Sequence, residues 1–85
     1  MQAFDTLKFD KSEYEGKSDL TLGLFDQGSM QHTLLIEGQE SFKLVVADRG
    51  DAKVGDIFLR RGTYTLYCEL PGHRAAGMEA TLVIA

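Results

Sequence analysis

Apolar and polar residues alternate in short runs along almost the whole chain. Leu20–Phe25 reads LTLGLF, with apolar residues at every second position or nearly so. His32–Gly38 (HTLLIEG), Phe42–Asp48 (FKLVVAD), Asp56–Arg60 (DIFLR), Thr63–Glu69 (TYTLYCE) and Met78–Ala85 (MEATLVIA) are apolar and β-branched in the same manner. With AFDTLKFD near the start, the pattern predicts about seven short strands. Turn residues separate them at Gly16, Asp26–Gly28, Gly38, Gly50, Gly62 and Pro71-Gly72. No stretch repeats at the helical period, and no internal repeat stands out. The expectation is therefore all-β: a Greek-key antiparallel β-sandwich or barrel, one domain over 1–85.

The period of two also assigns faces. In TYTLYC, Tyr64, Leu66 and Cys68 point one way, Thr65 and Tyr67 the other. In MEATLVI, Met78, Ala80, Leu82 and Ile84 share a face. Cys68 thus ends one strand facing inward, and Met78 opens the next strand, also inward. Between them, Pro71-Gly72 suits the two central positions of a type II turn, which brings His73 back toward Cys68.

Composition narrows the function. A single cysteine excludes an internal disulfide and leaves an inert core thiol, a nucleophile or a metal ligand. A net charge of -4 argues against a nucleic-acid partner, which needs a basic face. No apolar run approaches the ~20 residues of a membrane span. Met1–Asp5 lacks the basic start and apolar core of a secretory leader; the chemistry below favours a mature, extracytoplasmic domain, periplasmic or at the cell surface.

Cys68, His73 and Met78 are evenly spaced and bring a thiolate, an imidazole and a thioether to one pole. A trigonal copper site takes two imidazoles, one thiolate and a weak axial thioether. The second imidazole is His32, which opens a strand directly behind the turn Asp26–Gln31. Taken singly, each residue has a plainer reading: Cys68 as a small buried hydrophobe, His32 as a satisfied core histidine, Met78 as filler. Their convergence favours the metal. Zinc competes for Cys and His but takes thioether poorly. One cysteine cannot build a dinuclear copper centre, and no histidine is left for a second, substrate-binding copper. The donor set reads as a carrier and not an enzyme.

GSMQHTLLIEG and GTYTLYCELPGHRAAGMEATLVI resemble the cupredoxins, the blue copper proteins. The Cys-x4-His-x4-Met spacing is nearer to rusticyanin and sulfocyanin than to plastocyanin. Tyr64, four residues before the cysteine, is similar to the family's tyrosine corner. The resemblance implies one copper ion with His32, Cys68 and His73 as equatorial ligands and Met78 as the axial one. It implies one-electron transfer between redox proteins, such as c-type cytochromes or a terminal oxidase, by a monomer. Electrons would leave through His73, amid Leu70, Pro71, Ala75, Ala76, Gly77, Met30 and Gly28, or else through Tyr67. Arg74 is expected at the rim as a solvated charge, and Glu37, Glu40, Asp48, Asp51 and Asp56 as a solvated acidic face that a basic partner could read. Three positions depart from the family pattern: Thr33 stands where Asn is frequent, Asp26 where Asn is usual, and Arg61-Gly62 where Pro-Gly is common. The runner-up function is a copper metallochaperone that loads an oxidase.

Overall fold

The computed structural model covers residues 1–85 and contains strands only. One sheet has the order β2-β1-β4-β7, from β1 (Gln2–Phe4), β2 (Lys8–Phe9), β4 (Asp19–Asp26) and β7 (Ala52–Phe58). The other has the order β3-β9-β8-β5-β6, from β3 (Glu13–Gly16), β5 (His32–Ile36), β6 (Lys43–Val46), β8 (Gly62–Tyr67) and β9 (Glu79–Ile84). The core lies where the inner faces meet, built from Leu22 and Leu24 of β4, Leu34 and Ile36 of β5, Val46, Leu66, and Ala80, Leu82 and Ile84 of β9.

The all-β expectation holds, with two refinements. Both sheets are mixed, because β1 runs parallel to β4 and β3 parallel to β9. The stretch AFDTLKFD is not one strand. It is the tight hairpin β1–β2, with Ala3 paired to Phe9 and a tip at Asp5–Leu7, where Leu7 takes φ 61°. Aspartate is a poor strand former, and a strand through Asp5 would have put a carboxylate on the same face as Ala3 and Phe9. The chain turns there instead. The short strand β3 and the first half of β7 carry few buried side chains, so neither leaves an apolar alternation to read.

The inward rows of several strands end at one pole. On β4 the row Leu22, Leu24 continues to Asp26, which has no exposed surface. On β5 the row Ile36, Leu34 ends at His32. After β8, Leu66 leads to Cys68, and the residue before β9 is Met78; all are buried. The predicted face assignments for Leu66, Cys68, Met78, Ala80, Leu82 and Ile84 agree with this burial. Tyr64 donates from its hydroxyl to the carbonyl of Arg60 at 2.7 Å, closing the corner before β8 as a tyrosine corner does.

Candidate metal centre

Two pieces of chain meet at this pole, one held by a sheet and one by a loop. The loop joins β8 to β9. Pro71 supplies a fixed φ, and Gly72 adopts φ 79°, which a side chain would resist. His73 N–H then donates to the Leu70 carbonyl at 3.0 Å, the closing bond of the expected turn. Further backbone bonds run from Ala76 to Gly72, from Met78 to His73 and from Cys68 to Met78, at 3.0, 3.0 and 3.1 Å. Cys68, His73 and Met78 are therefore tied to one another through the main chain.

His32 comes from the other side, as the first residue of β5. One donor atom each of His32, Cys68 and His73 lies within 4.8 Å of the other two. His73 Nδ1 is 3.3 Å from Cys68 Sγ, and the two imidazole rings are 5.5 Å apart, tilted by 53°. His32 and Cys68 are fully buried and His73 is only 6% exposed. Met78, also fully buried, lies beside them through its backbone bonds to His73 and Cys68. Three of the predicted donors thus come together, and the backbone brings the fourth residue to the same pole.

His32 carries the most telling atom. Its Nε2 lies 3.1 Å from Asp5 Oδ1, and its Nδ1 is buried with no hydrogen-bond partner. The Asp5 carboxyl is pulled down to about 2, first by the backbone N–H of Ser29 and also by Met30 and His32, against partial desolvation. A carboxylate can only accept, so Nε2 is the donor, and in the neutral ring Nδ1 is left as a bare lone pair. An unmet buried acceptor is costly. A lone pair beside a thiol and a second imidazole is the complement of a soft or borderline cation.

No protein-family model matches the sequence, and no curated protein matches it. Solved structures do match. Auracyanin from Roseiflexus castenholzii superposes with a TM-score of 0.87 at 16% identity, over 99% of this chain and 93% of that one. Auracyanin A, a "blue" copper protein from Chloroflexus aurantiacus, gives 0.74 at 17%, over 100% and 97%. A purple cupredoxin from Nitrosopumilus maritimus gives 0.70 at 14%, over 99% and 98%. This chain has the cupredoxin fold. At such identities the likeness is one of architecture, and the chemistry rests on the chain's own residues.

Within the cupredoxin fold, Thr33 occupies the position after the strand histidine and links the two halves of the pole. Its N–H and its hydroxyl each donate to Cys68 Sγ at 3.4 Å, and its hydroxyl oxygen accepts the N–H of Glu69 at 3.0 Å. The replacement of the frequent Asn thus keeps a bond across to the cysteine loop. Asp26 keeps the turn before the histidine: its Oδ1 accepts the N–H of Gly28 at 2.9 Å, while its Oδ2 is buried without a partner.

The surroundings refine the reading of the charged residues. Arg74 is not a free rim charge. It bonds Glu37 at 3.0 Å and Glu79, and its guanidinium lies 4.2 Å over the Tyr67 ring. The acidic residues are exposed, except for the half-buried Asp51, and most have local partners. Glu37 holds Arg74, Glu40 accepts from the Tyr67 hydroxyl, Asp51 caps Ala47 and bonds Lys53, and Asp56 accepts from Thr21. Pro71, Ala75 and Ala76 are exposed beside the nearly buried His73, and Met30 is exposed in the turn before His32; of the rest of the expected apolar rim, Leu70 and Gly77 are half-buried and Gly28 is buried. Asp5 was not singled out by the sequence. Its one signal is a carboxylate on the core face of an apparent strand.

Proposed function

We propose that this chain is an electron carrier that holds one type 1 copper ion through His32, Cys68, His73 and Met78. The observation that carries the reading is the bare, buried Nδ1 of His32 beside Cys68 Sγ and His73 Nδ1. When bound, copper would supply a one-electron Cu(II)/Cu(I) couple. His32 and His73 offer neutral imidazole nitrogens, which suit both oxidation states. Cys68 offers a thiolate whose charge is shared with two donors from Thr33. Met78 would offer a soft thioether sulfur, which favours the reduced ion. Burial excludes water, and the sheets and the bonded loop keep the donors in place, so a change of oxidation state asks for little rearrangement.

His73 is the exit for electrons. Its narrow exposed edge lies among small apolar residues that permit close, brief docking of a redox protein, for which a c-type cytochrome or a terminal oxidase is the partner class. The place of work is outside the cytoplasm. With both histidines and the one cysteine committed, no imidazole or thiolate remains for a second copper that would bind substrate, which favours a carrier over an enzyme. A metallochaperone needs donors that a partner can reach; donors this deeply buried argue for the carrier.

Cu(II) titration of the metal-free protein tests the reading. An intense visible thiolate-to-copper band should saturate at one equivalent and vanish in Cys68→Ser. No band, or a band that survives the substitution, would overturn the assignment.

A further inference from the structure

The β1–β2 hairpin presents a carboxylate to the Nε2 edge of the His32 ring. Asp5 lies at its tip. Oδ1 accepts from His32 Nε2 at 3.1 Å and from Met30 N–H at 3.2 Å. Oδ2 accepts from Ser29 N–H at 2.8 Å and from the Ser29 hydroxyl at 3.2 Å. The space is made for it: a Cβ on Gly28 would stand 1.9 Å from Oδ1. The hairpin itself is docked, since β1 pairs with β4 and Gln27 N–H donates to the Ala3 carbonyl at 2.9 Å. Asp26 places a second carboxyl in the same cluster, within 4.8 Å.

We propose that Asp5 is a positioning residue for the metal centre: it locks His32 in the Nε2–H form, aims the bare Nδ1 at the pocket and sets its charge against the oxidised ion. The inference rests on the copper reading above. A carboxylate behind a ligating imidazole fixes the ring's tautomer and raises its basicity. A negative charge next to the ligand stabilises the higher oxidation state. Asp5 thereby lowers the reduction potential, and it acts through His32 without touching the metal.

The rival role is a cap for the turn at Gly28–Met30. Three full-length variants separate the two. Asp5→Asn keeps the size but has one acceptor oxygen where Asp5 has two, so it cannot serve both Ser29 and His32. Gly28→Ala pushes the carboxylate away without removing it. Ser29→Ala removes one turn bond and leaves the His32 contact. In copper-loaded protein, Asp5→Asn should keep the blue band and raise the potential, with a roughly tenfold shift in the Cu(I)-to-Cu(II) affinity ratio, about 59 mV for one electron. Gly28→Ala should shift it the same way by less, and Ser29→Ala should lower Tm alone. If Asp5→Asn, like Ser29→Ala, lowers Tm and leaves the potential unmoved, Asp5 is only a cap.

A metal-free readout stands apart from the copper reading. Nitrogen-15 shifts of the His32 ring should show protonated Nε2 and bare Nδ1 in the wild type, and a mixture of tautomers in Asp5→Asn. The opposite tautomer in the wild type, or no change in the variant, would overturn the proposal. A wild type that gives this tautomer but no blue band would sink the copper reading and leave the hold of Asp5 on the ring standing.

Discussion

The two halves of the metal centre are built by different means. Cys68, His73 and Met78 sit within one short loop, held by backbone bonds between near neighbours. His32 is held by a sheet and by Asp5, 27 residues away. The loop half is therefore bonded mainly to itself, with side-chain ties to the body from Arg74 to Glu37 and from Lys8 to the Ala76 carbonyl, whereas the strand half is built into the sandwich. Thr33 joins them, donating to Cys68 Sγ and accepting from Glu69 N–H. A metal would be the stronger tie, since it bonds both halves at once.

Metal loading gives the largest expected effect. A ligand at a hundred times its dissociation constant adds about 2.7 kcal/mol to the folded state. For a domain of this size that is about 10–20 °C in Tm. The gain should fall unequally across the pole: on hydrogen exchange, amides of 70–77 should slow more than those of β5. Uniform slowing would mean that the loop does not open separately from the strand half.

Thr33→Val cuts one of the existing ties. The side chain is 1% exposed and its shape is nearly kept, but Glu69 N–H loses its acceptor and Cys68 Sγ loses a donor. A stranded, half-buried N–H costs about 1–3 kcal/mol, which denaturant titration of metal-free protein would read. In the loaded protein the potential should fall, because a sulfur with fewer hydrogen bonds donates more charge to the oxidised ion. Asp5→Asn should move it upward. The two substitutions thus act on opposite sides of the same pole with opposite signs, and shifts of equal sign would break that picture.

Gly72→Ala strains the loop alone. At φ 79° a Cβ costs about 1–2 kcal/mol, although open space surrounds the position. Chemical denaturation should show that loss, with the His32 ring's nitrogen-15 shifts unchanged. A changed His32 tautomer would show the halves coupled even without metal.

This division also explains what the sequence made legible. The loop half was readable because its signals are adjacent: Pro71-Gly72 names the turn, and the alternation in TYTLYC and MEATLVI aims Cys68 and Met78 inward. His32 emerged by elimination, as the one imidazole left. Asp5 did not emerge, because nothing local reveals that a hairpin tip will face a histidine far along the chain. The same reason hid the parallel partner strands: β1 and β3 are short, and their pairing with β4 and β9 is settled by tertiary contact. The start of β7 was missed for another cause. AKVG is exposed, so its pairing with β4 leaves no apolar signature.

Acid gives the smallest effect and tests the strand half directly. The Asp5 carboxyl titrates at about 2 in the folded chain, held first by Ser29 N–H, against 3.8 as the ordinary value. A carboxyl lowered by folding stabilises the fold above its unfolded value, and that contribution is lost as pH falls through the folded one. Metal-free wild type should therefore lose stability relative to Asp5→Asn between about pH 4 and about pH 2. Asp51, lowered first by the N–H of Ala47, loses its share in acid as well. It does so in both proteins, so the difference isolates Asp5. A difference that stays flat through the acid window would mean that the folded chain has no preference for the charged carboxylate, and that His32 is held by the sheet alone.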